Sequence, residues 1–575
     1  MRYASMTKEI YTKLFTSTFI IQIVNTLSFF LDFIIPGTFF GEEALSVITL
    51  TMPLLLLLQA YIDMVSMGGS NAFSMEVGAG DTDAAHRYFT ATVIGSMAVG
   101  TIIMLIGWLF IDPLVTLLGA SPELFGITTR VTLMSLGFFI LMPAFISLDF
   151  FVRNDGHIQL AAADNVFFII CNILLNIYLV GYTSWGIVGA PLSSILSVLL
   201  SLIPLTAVFF FKNTTLRFSR HTRPKDFLHI IRMGSGLTFK HIYQGTAVLI
   251  FNNFLMGFYG MAAVVVYSVI VNVQALLIGI LDSIRESMQP LIGSYLGEKN
   301  IPGIRETMLC SRTTGITFCL LFWLLLEIMP ASALHIFGIY DEAVLALSLE
   351  AIHIYAFVFP FLCFTELISS YYQFIGFPRL TFYILTIKGF LLLLPISLLG
   401  FWFFGLNGLW LGFVLTEALS GLICLWLARR KAFRSQPPLS GLLLLDDSLL
   451  ENSLFFDFPL TRAMLMEKLD EIETCLMKKG FSMKLQGRVR LCLEEIGLNV
   501  LQYNPQKKNP RLELQLHLGE SIRLSIRDNC TSFNTTTPRQ SSEPQFGLQL
   551  VRQVASDFQY IPTIGYNRTI LTFSP

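Results

Sequence analysis

The chain has 575 residues, of which 54% are hydrophobic and only 13% charged, with a formal net charge of −1. Soluble domains carry roughly 25% charged residues, so this composition excludes an ordinary soluble protein, and the balanced charge gives no footing for nucleic-acid binding. Charges are sparse up to Leu427 and ordinary after it, which divides the chain into a membrane part and a soluble tail.

A bilayer core about 30 Å thick takes about 20 apolar residues per helix. In chain order the apolar runs predict twelve spans, at about 14–35, 47–68, 89–110, 132–152, 160–181, 187–211, 237–258, 264–285, 313–331, 347–371, 380–403 and 406–428. The first run is long enough to span and lacks the pattern of a cleaved leader, so it is expected to be retained. Lys and Arg orient the set. One group of loops carries Arg2, Lys8, Lys13, Arg87, Arg153, the cluster from Lys212 to Arg232, Lys299, Arg305, Arg379 and Arg429-Arg430-Lys431. The alternate loops carry none, and Arg130 is the exception. The expectation is a multi-pass protein of the inner or plasma membrane with both termini cytoplasmic. The eight cysteines form no CxxC pair, so neither a disulfide framework nor a zinc site is expected.

Shifted by 219 residues, the chain partly overlays itself. Gly41 falls on Gly260, Gly78 on Gly297, Gly119 on Gly338, Gly186 on Gly405 and Gly189 on Gly408, while Asp63 falls on Asp282. Chance would supply roughly one or two such glycine matches at average glycine usage. Six spans per repeat is an even number, so the halves, 1–220 and 221–435, are expected to run parallel, a transporter plan with its site between them at the midplane.

Ionisable residues inside a bilayer are costly and mark function by default. Asp32 lies in the first predicted helix. Asn172 and Asn176 are four apart and share one face of the fifth. Asp282, Arg285 and Glu286 are expected to form an internal ion-pair cluster in the eighth, with Arg285 the one well-placed Arg of the spans. Glu366 is expected to line the second half's cavity. Lys240 and His241 are expected to snorkel to the interface, and no role is assigned to Lys388 or Glu417. A cavity walled by some of the 51 Phe residues and a few acids suits bulky organic cations.

Several motifs resemble the multidrug and toxin extrusion (MATE) family. In the first half they are Leu31-Asp32-Phe33, Phe40-Gly41-Glu42-Glu43-Ala44-Leu45, Met52-Pro53, Gly78-Ala79-Gly80-Asp81 and Leu118-Gly119-Ala120-Ser121-Pro122-Glu123. In the second half they are Gln289-Pro290-Leu291-Ile292-Gly293, Gly297-Glu298-Lys299 and Gly405-Leu406-Asn407-Gly408-Leu409-Trp410. The resemblance covers about residues 10–430. It implies that Asp32 binds a proton or sodium ion opposite Asn172 and Asn176, where relatives usually have Asn followed by Asp. An Asn there still offers a carbonyl oxygen to a hard cation. Some relatives carry a Glu in helix seven; Lys240-His241-Ile242-Tyr243-Gln244-Gly245-Thr246 has no acid, which argues against coupling in the second half.

The segment 436–453 reads as a linker, with Pro437-Pro438 as a breaker and Leu442–Leu445 far too short to span. From 454 to 575 the periodicity predicts strands at Phe455–Pro459, Arg511–His517, Ser521–Arg527 and Thr569–Phe573, and helices at Thr461–Lys479, Leu485–Tyr503 and Gln549–Ser556. The result is an α/β sandwich after an all-α membrane domain.

This tail resembles the histidine-kinase-like (Bergerat-fold) ATPases, and among them the anti-sigma-factor serine kinases. The carrying stretches are Leu493-Glu494-Glu495-Ile496-Gly497-Leu498-Asn499, Ile526-Arg527-Asp528-Asn529 and Phe546-Gly547-Leu548. The resemblance implies that Glu495 activates the attacking group, Asn499 holds Mg²⁺, Asp528 reads the adenine amino group and Gly547 belongs to the phosphate turn of an ATP site. The chain departs from that pattern at Cys530, Gln545 and Tyr503, where the family usually has Gly, Gly and His.

The expected function is therefore a proton- or sodium-coupled exporter of organic cations or drugs with a cytoplasmic ATP-binding-like regulatory domain. One alternative is a membrane-bound sensor whose tail phosphorylates or sequesters an anti-anti-sigma-type protein. Another is a lipid-linked precursor flippase.

Overall fold

The computed structural model describes residues 5–211, 214–336, 339–531 and 546–574. The first helical set begins with α1 (Met6–Ile62), whose N-terminus is capped by the Ser5 hydroxyl accepting from the Lys8 amide. A π turn at Asp63–Met67 leads into α2 (Gly68–Ala79). Then come α3 (Thr82–Leu109), α4 (Ile111–Leu117), α5 (Phe125–Ser135), α6 (Phe138–Asn154), α7 (Ile158–Tyr182) and α8 (Gly189–Thr206). The second set comprises α9 (Pro224–Tyr259), α10 (Met261–Glu298), α11 (Ile301–Ile328), α12 (Pro330–Ile336), α13 (Glu342–Tyr355), α14 (Val358–Phe374) and α15 (Pro378–Thr386). A second π turn, Ile387–Leu392, opens into α16 (Leu393–Arg434).

The repeated glycines serve two different ends. Gly41 and Gly260 both turn the chain with positive φ, 60° and 71°, a region that side chains with a Cβ disfavour. Gly41 breaks α1 in direction, and Gly405 (φ 62°) does the same in α16. Gly78 and Gly297 instead let α2 and α10 touch. A Cβ on Gly78 would lie 2.1 Å from the Ser294 carbonyl oxygen, and one on Gly297 would lie 2.0 Å from that of Met75.

Among the described residues, eight helical stretches are long and apolar enough to cross a bilayer, or nine if α13 and α14, bent by 51°, count as one. The twelve expected spans differ for two reasons. Pro378–Arg434 is one 57-residue stretch that runs through two of them. Neither the arm of α1 before Gly41 nor α9, which carries Lys240, His241 and Gln244, is among the eight. Large apolar side chains such as Leu109, Ile203 and Phe404 face outward around the bundle, as a lipid-facing surface requires.

After the short α17 (Ser448–Glu451) comes a five-stranded antiparallel sheet: β1 (Ser453–Pro459), β2 (Arg511–Leu518), β3 (Ile522–Asp528), β4 (Asp557–Tyr560) and β5 (Asn567–Phe573), in the order β1-β2-β3-β5-β4. Helices α18 (Arg462–Lys478), α19 (Met483–Tyr503) and α20 (Phe546–Val554) complete this region. Leu465, Leu469, Ile472, Val489 and Ile496 join Leu514, Leu524 and Leu571 in one core between helices and sheet. The edge strand β4 has no counterpart among the expected elements. The helix expected to reach Ser556 ends at Val554, and the chain then pairs with β5.

Candidate functional site

Each helical set holds a polar cluster. In the first, α1 and α7 bring Asp32 and Asn176 together, the Asn176 amide donating to Asp32 Oδ1 at 3.0 Å. One turn along, Asn172 donates to Ser194 on α8 at 2.8 Å, and Ser28 donates to Asn172 Oδ1 at 3.4 Å. Asn172 and Asn176 are fully buried, and Asn176 Oδ1 finds no hydrogen-bond partner among the described residues. The i,i+4 spacing legible in the sequence thus becomes one polar face turned toward Asp32. Its donors are all neutral and its acceptors all oxygen, an arrangement suited to a proton or a hard cation.

The second cluster is saturated with charge. Glu366 on α14 accepts from Lys240 (2.8 Å) and Lys388 (3.1 Å), and Lys388 also pairs with Glu417 on α16 at 2.9 Å. These four side chains line a cavity of about 110 Å³ whose lining also includes Tyr267 and Tyr355. Glu366 lies where the sequence placed it, in a cavity of the second half. Lys240 and His241 do not snorkel. Lys240 is held by Glu366, and His241 Nε2 lies 2.9 Å from Asp63 Oδ2. A buried acid within reach outcompetes the interface for a cation, and no single-helix pattern reveals an acid on another helix.

The expected cluster at Asp282, Arg285 and Glu286 divides in two. Asp282 pairs with Arg285 at 3.4 Å and lies 3.9 Å from Lys240. Glu286 accepts from Arg153 on α6 at 2.8 Å and from Gln22 on α1 at 2.7 Å. Arg285 is therefore not the one internal Arg. Arg153, read from the sequence as a loop residue, is buried and bridges Asp149 (2.8 Å) to Glu286. The four-residue spacing of Asp149 and Arg153 was the available signal, since it puts both on one helix face.

In the tail, Asn499 donates to Glu495 at 2.8 Å. A Cβ on Gly547 would fall 1.6 Å from the Glu495 carboxylate, so the start of α20 lies directly against the Glu495–Asn499 face of α19. Asp528 sits at the end of β3, where its Oδ1 accepts from Asn567 Nδ2 (2.8 Å) and from the Cys530 amide (2.9 Å). Burial pushes its carboxyl up to about 6, against those hydrogen bonds. The oxygens of Glu495, Asn499 and Asp528 are of the kind Mg²⁺ takes, while Glu495 fills the space beside Gly547 and the other two are hydrogen-bonded within the domain. Gln545 lies outside the described residues.

The MatE family profile matches residues 18–178 and 237–403, one segment in each helical set. The multidrug export protein MepA of Staphylococcus haemolyticus is 26% identical over 274 residues, 47% of this chain and 60% of that protein. MepA of Staphylococcus saprophyticus is 27% identical over 238 residues, 52% of its length, so the chain spans between about half and 60% of these relatives. A FAD transporter of Shewanella oneidensis is 23% identical over 428 residues, 70% of this chain and 90% of that protein. Among solved structures, an outward-facing multidrug resistance MATE family transporter of the MOP superfamily superposes with a TM-score of 0.69 at 18% identity, covering 74% of this chain and 96% of that one. A mutant of the Vibrio cholerae MATE transporter VcmN gives 0.69 at 19% identity, covering 76% and 99%.

Proposed function

Because the chain belongs to the MatE family, we propose that it is a secondary exporter of drugs or other organic cations, driven by inward flow of protons or sodium ions. The reading includes twelve membrane crossings, counting two in the stretch that turns at Gly405 and adding α9 and the first arm of α1. Both termini then lie on the cytoplasmic side.

The contact between Asp32 and Asn176 carries the coupling assignment. Ionised Asp32 accepts from the Asn176 amide. Once protonated it gains a donor, and Asn176 Oδ1, without a partner among the described residues, is a buried acceptor on the same amide. A sodium ion would take the same oxygens. Either event exchanges one hydrogen-bonded arrangement of α1 and α7 for another, which is the two-state element that coupling needs. The test is efflux of a fluorescent organic cation from cells under imposed proton and sodium gradients. Gradient-driven efflux lost in Asp32→Asn supports the assignment, whereas efflux untouched by that change sinks it.

A second reading concerns the substrate and rests on Lys240 and Lys388. Their charges balance Glu366 and Glu417 in the second cavity, so a simple cation meets no open carboxylate there, while a ligand with an acidic group could replace one of these carboxylates as an ammonium partner. The likeness to a FAD transporter over 90% of that protein's length fits this chemistry. Export of a flavin nucleotide, lost in Lys388→Met while cation efflux persists, would select it.

The tail reads as a regulatory domain. Asp528, Glu495, Asn499 and Gly547 would hold ATP and Mg²⁺, which when bound supplies a transferable phosphoryl group.

A further inference from the structure

Strand alternation sorts the tail's sheet into two faces. Leu514, Leu516, Leu524 and Ile526 turn to the helices, while Gln515, His517, Arg523, Arg527 and Arg568 turn away. In a free domain such a face meets water. Here Gln515, Arg527 and Arg568 are at most 3% exposed, because the face lies against the ends of two helices, one from each half of the transporter.

At the end of α2, Arg568 Nη1 donates to the carbonyls of Val77 (3.3 Å) and Gly78 (2.9 Å), and Arg523 donates to that of Ala79 at 2.6 Å. At the end of α10, the Glu298 carboxylate accepts from Arg527 and lies 3.5 Å from Arg568. The Glu298 carbonyl lies 3.1 Å from the Gln515 amide and 2.9 Å from His517 Nε2. The last carbonyls of a helix lack partners within it and carry partial negative charge; arginines satisfy them on α2, and Gln515 and His517 do so on α10. The two ends are equivalent positions of the repeat, and they touch through Gly78 and Gly297. Arg568 spans both.

We propose that this sheet is a clamp that ties α2 to α10 and holds the two halves shut at that end, so that each transport cycle requires its release. The inference rests on the exporter reading, in which one half rocks against the other. Opening that end separates α2 from α10, and Arg568 cannot stay bonded to both. The arrangement is suited to two states rather than many. Docked, the buried charges are paired; released, they are hydrated; halfway, Glu298 or an arginine is buried without its partner, which is strongly unfavourable.

The domain is fastened to both halves. Tyr371 and Tyr372 of α14 donate to the carbonyls of Leu443 and Leu442, and Arg305 of α11 pairs with Asp447. From the first half, Lys13 of α1 donates to Tyr566 at 2.9 Å, Glu9 accepts from Asn529 at 3.2 Å and the Met6 amide donates to Asp457 at 2.9 Å. The sheet thus ties together elements that opening would part.

Full-length protein in lipid nanodiscs tests this with Ser74→Cys, a buried position on α2 facing Gly293 across the seam. Maleimide labelling is followed by peptide mass analysis, so the native cysteines are read separately. Glu298→Gln and Arg568→Lys, which keeps the charge but lacks the fork that spans two helix ends, should raise the labelling rate about tenfold, the effect of losing one charge-assisted hydrogen bond. Cys492 in the domain core should stay unlabelled. Arg523→Ala makes the same comparison should either buried variant expose Cys492. Unchanged labelling at position 74 in these variants overturns the clamp. Absence of efflux from cells expressing the wild-type protein, with labelling of the nanodisc variants still raised, would count against the exporter reading and not against the clamp.

Discussion

The two halves share a backbone plan and differ in how they treat a buried carboxylate. Among the described residues Asp32 accepts only from the Asn176 amide, whereas Glu366 is held between two lysines. A carboxylate with resident cationic partners has no need of a mobile one; a carboxylate with an amide alone does. Repetition of fold therefore does not imply repetition of function, and the proposed coupling step is assigned to the half whose carboxylate lacks a cationic partner. The tail repeats the contrast outside the bilayer, where Glu298 is held by arginines and Asp528 by an amide and a backbone N–H.

That contrast can be broken in order of effect. Glu366→Gln takes its close anion from Lys240 and one of two from Lys388, and should destabilise the protein by about 3–5 kcal/mol, seen as a lowered unfolding midpoint of purified protein. A stable variant that has lost only transport would make Glu366 a coupling residue and end the contrast. Asp32→Asn should reverse the pattern, with gradient-driven efflux falling about a hundredfold, equivalent to about 2.7 kcal/mol, and little change in midpoint. Lys388→Met should lie between, costing about 1–3 kcal/mol because Glu417 keeps the Thr365 hydroxyl at 2.8 Å.

The remaining effect, confined to the tail and to one pH range, is expected at Asp528. Its carboxyl titrates at about 6 in the folded domain against 3.8 unfolded. Between those values the folded state holds a proton that the unfolded state releases, so stability should fall as pH rises from about 4 to about 6 and then level off. Asp528→Asn should remove that slope, read as the rate at which Cys492 becomes labelled across the pH range. A slope unchanged by the substitution would place its origin in another group.

Much of this architecture was legible in the chain because local physics writes it there. Apolar runs set by bilayer thickness gave the membrane region, and a 219-residue shift exposed paired glycines such as Gly41 and Gly260, each needed for its own backbone turn. Strand alternation and helical spacing gave β1, β2, β3, β5 and the tail's helices. The four-residue β4 was missed because an edge strand so short acquires its identity from pairing with β5. The shared face of Asn172 and Asn176 was legible because helical spacing puts the two asparagines one turn apart; its proximity to Asp32 came from the packing of α1 on α7. Lys240, His241 and Arg153 were misplaced because their partners sit on other helices.

What the sequence by itself determined, then, was which segments are helix, strand or turn, and which side chains share a face, since these depend on neighbours a few residues apart. Only the tertiary structure decided which charges neutralise one another and which polar face is buried. Arg568 looks like a solvated strand residue until its strand is laid across the ends of α2 and α10, nearly 500 residues before it and 270 residues before it. Charge pairing and desolvation act through space, and a pattern along one chain does not record distance in space.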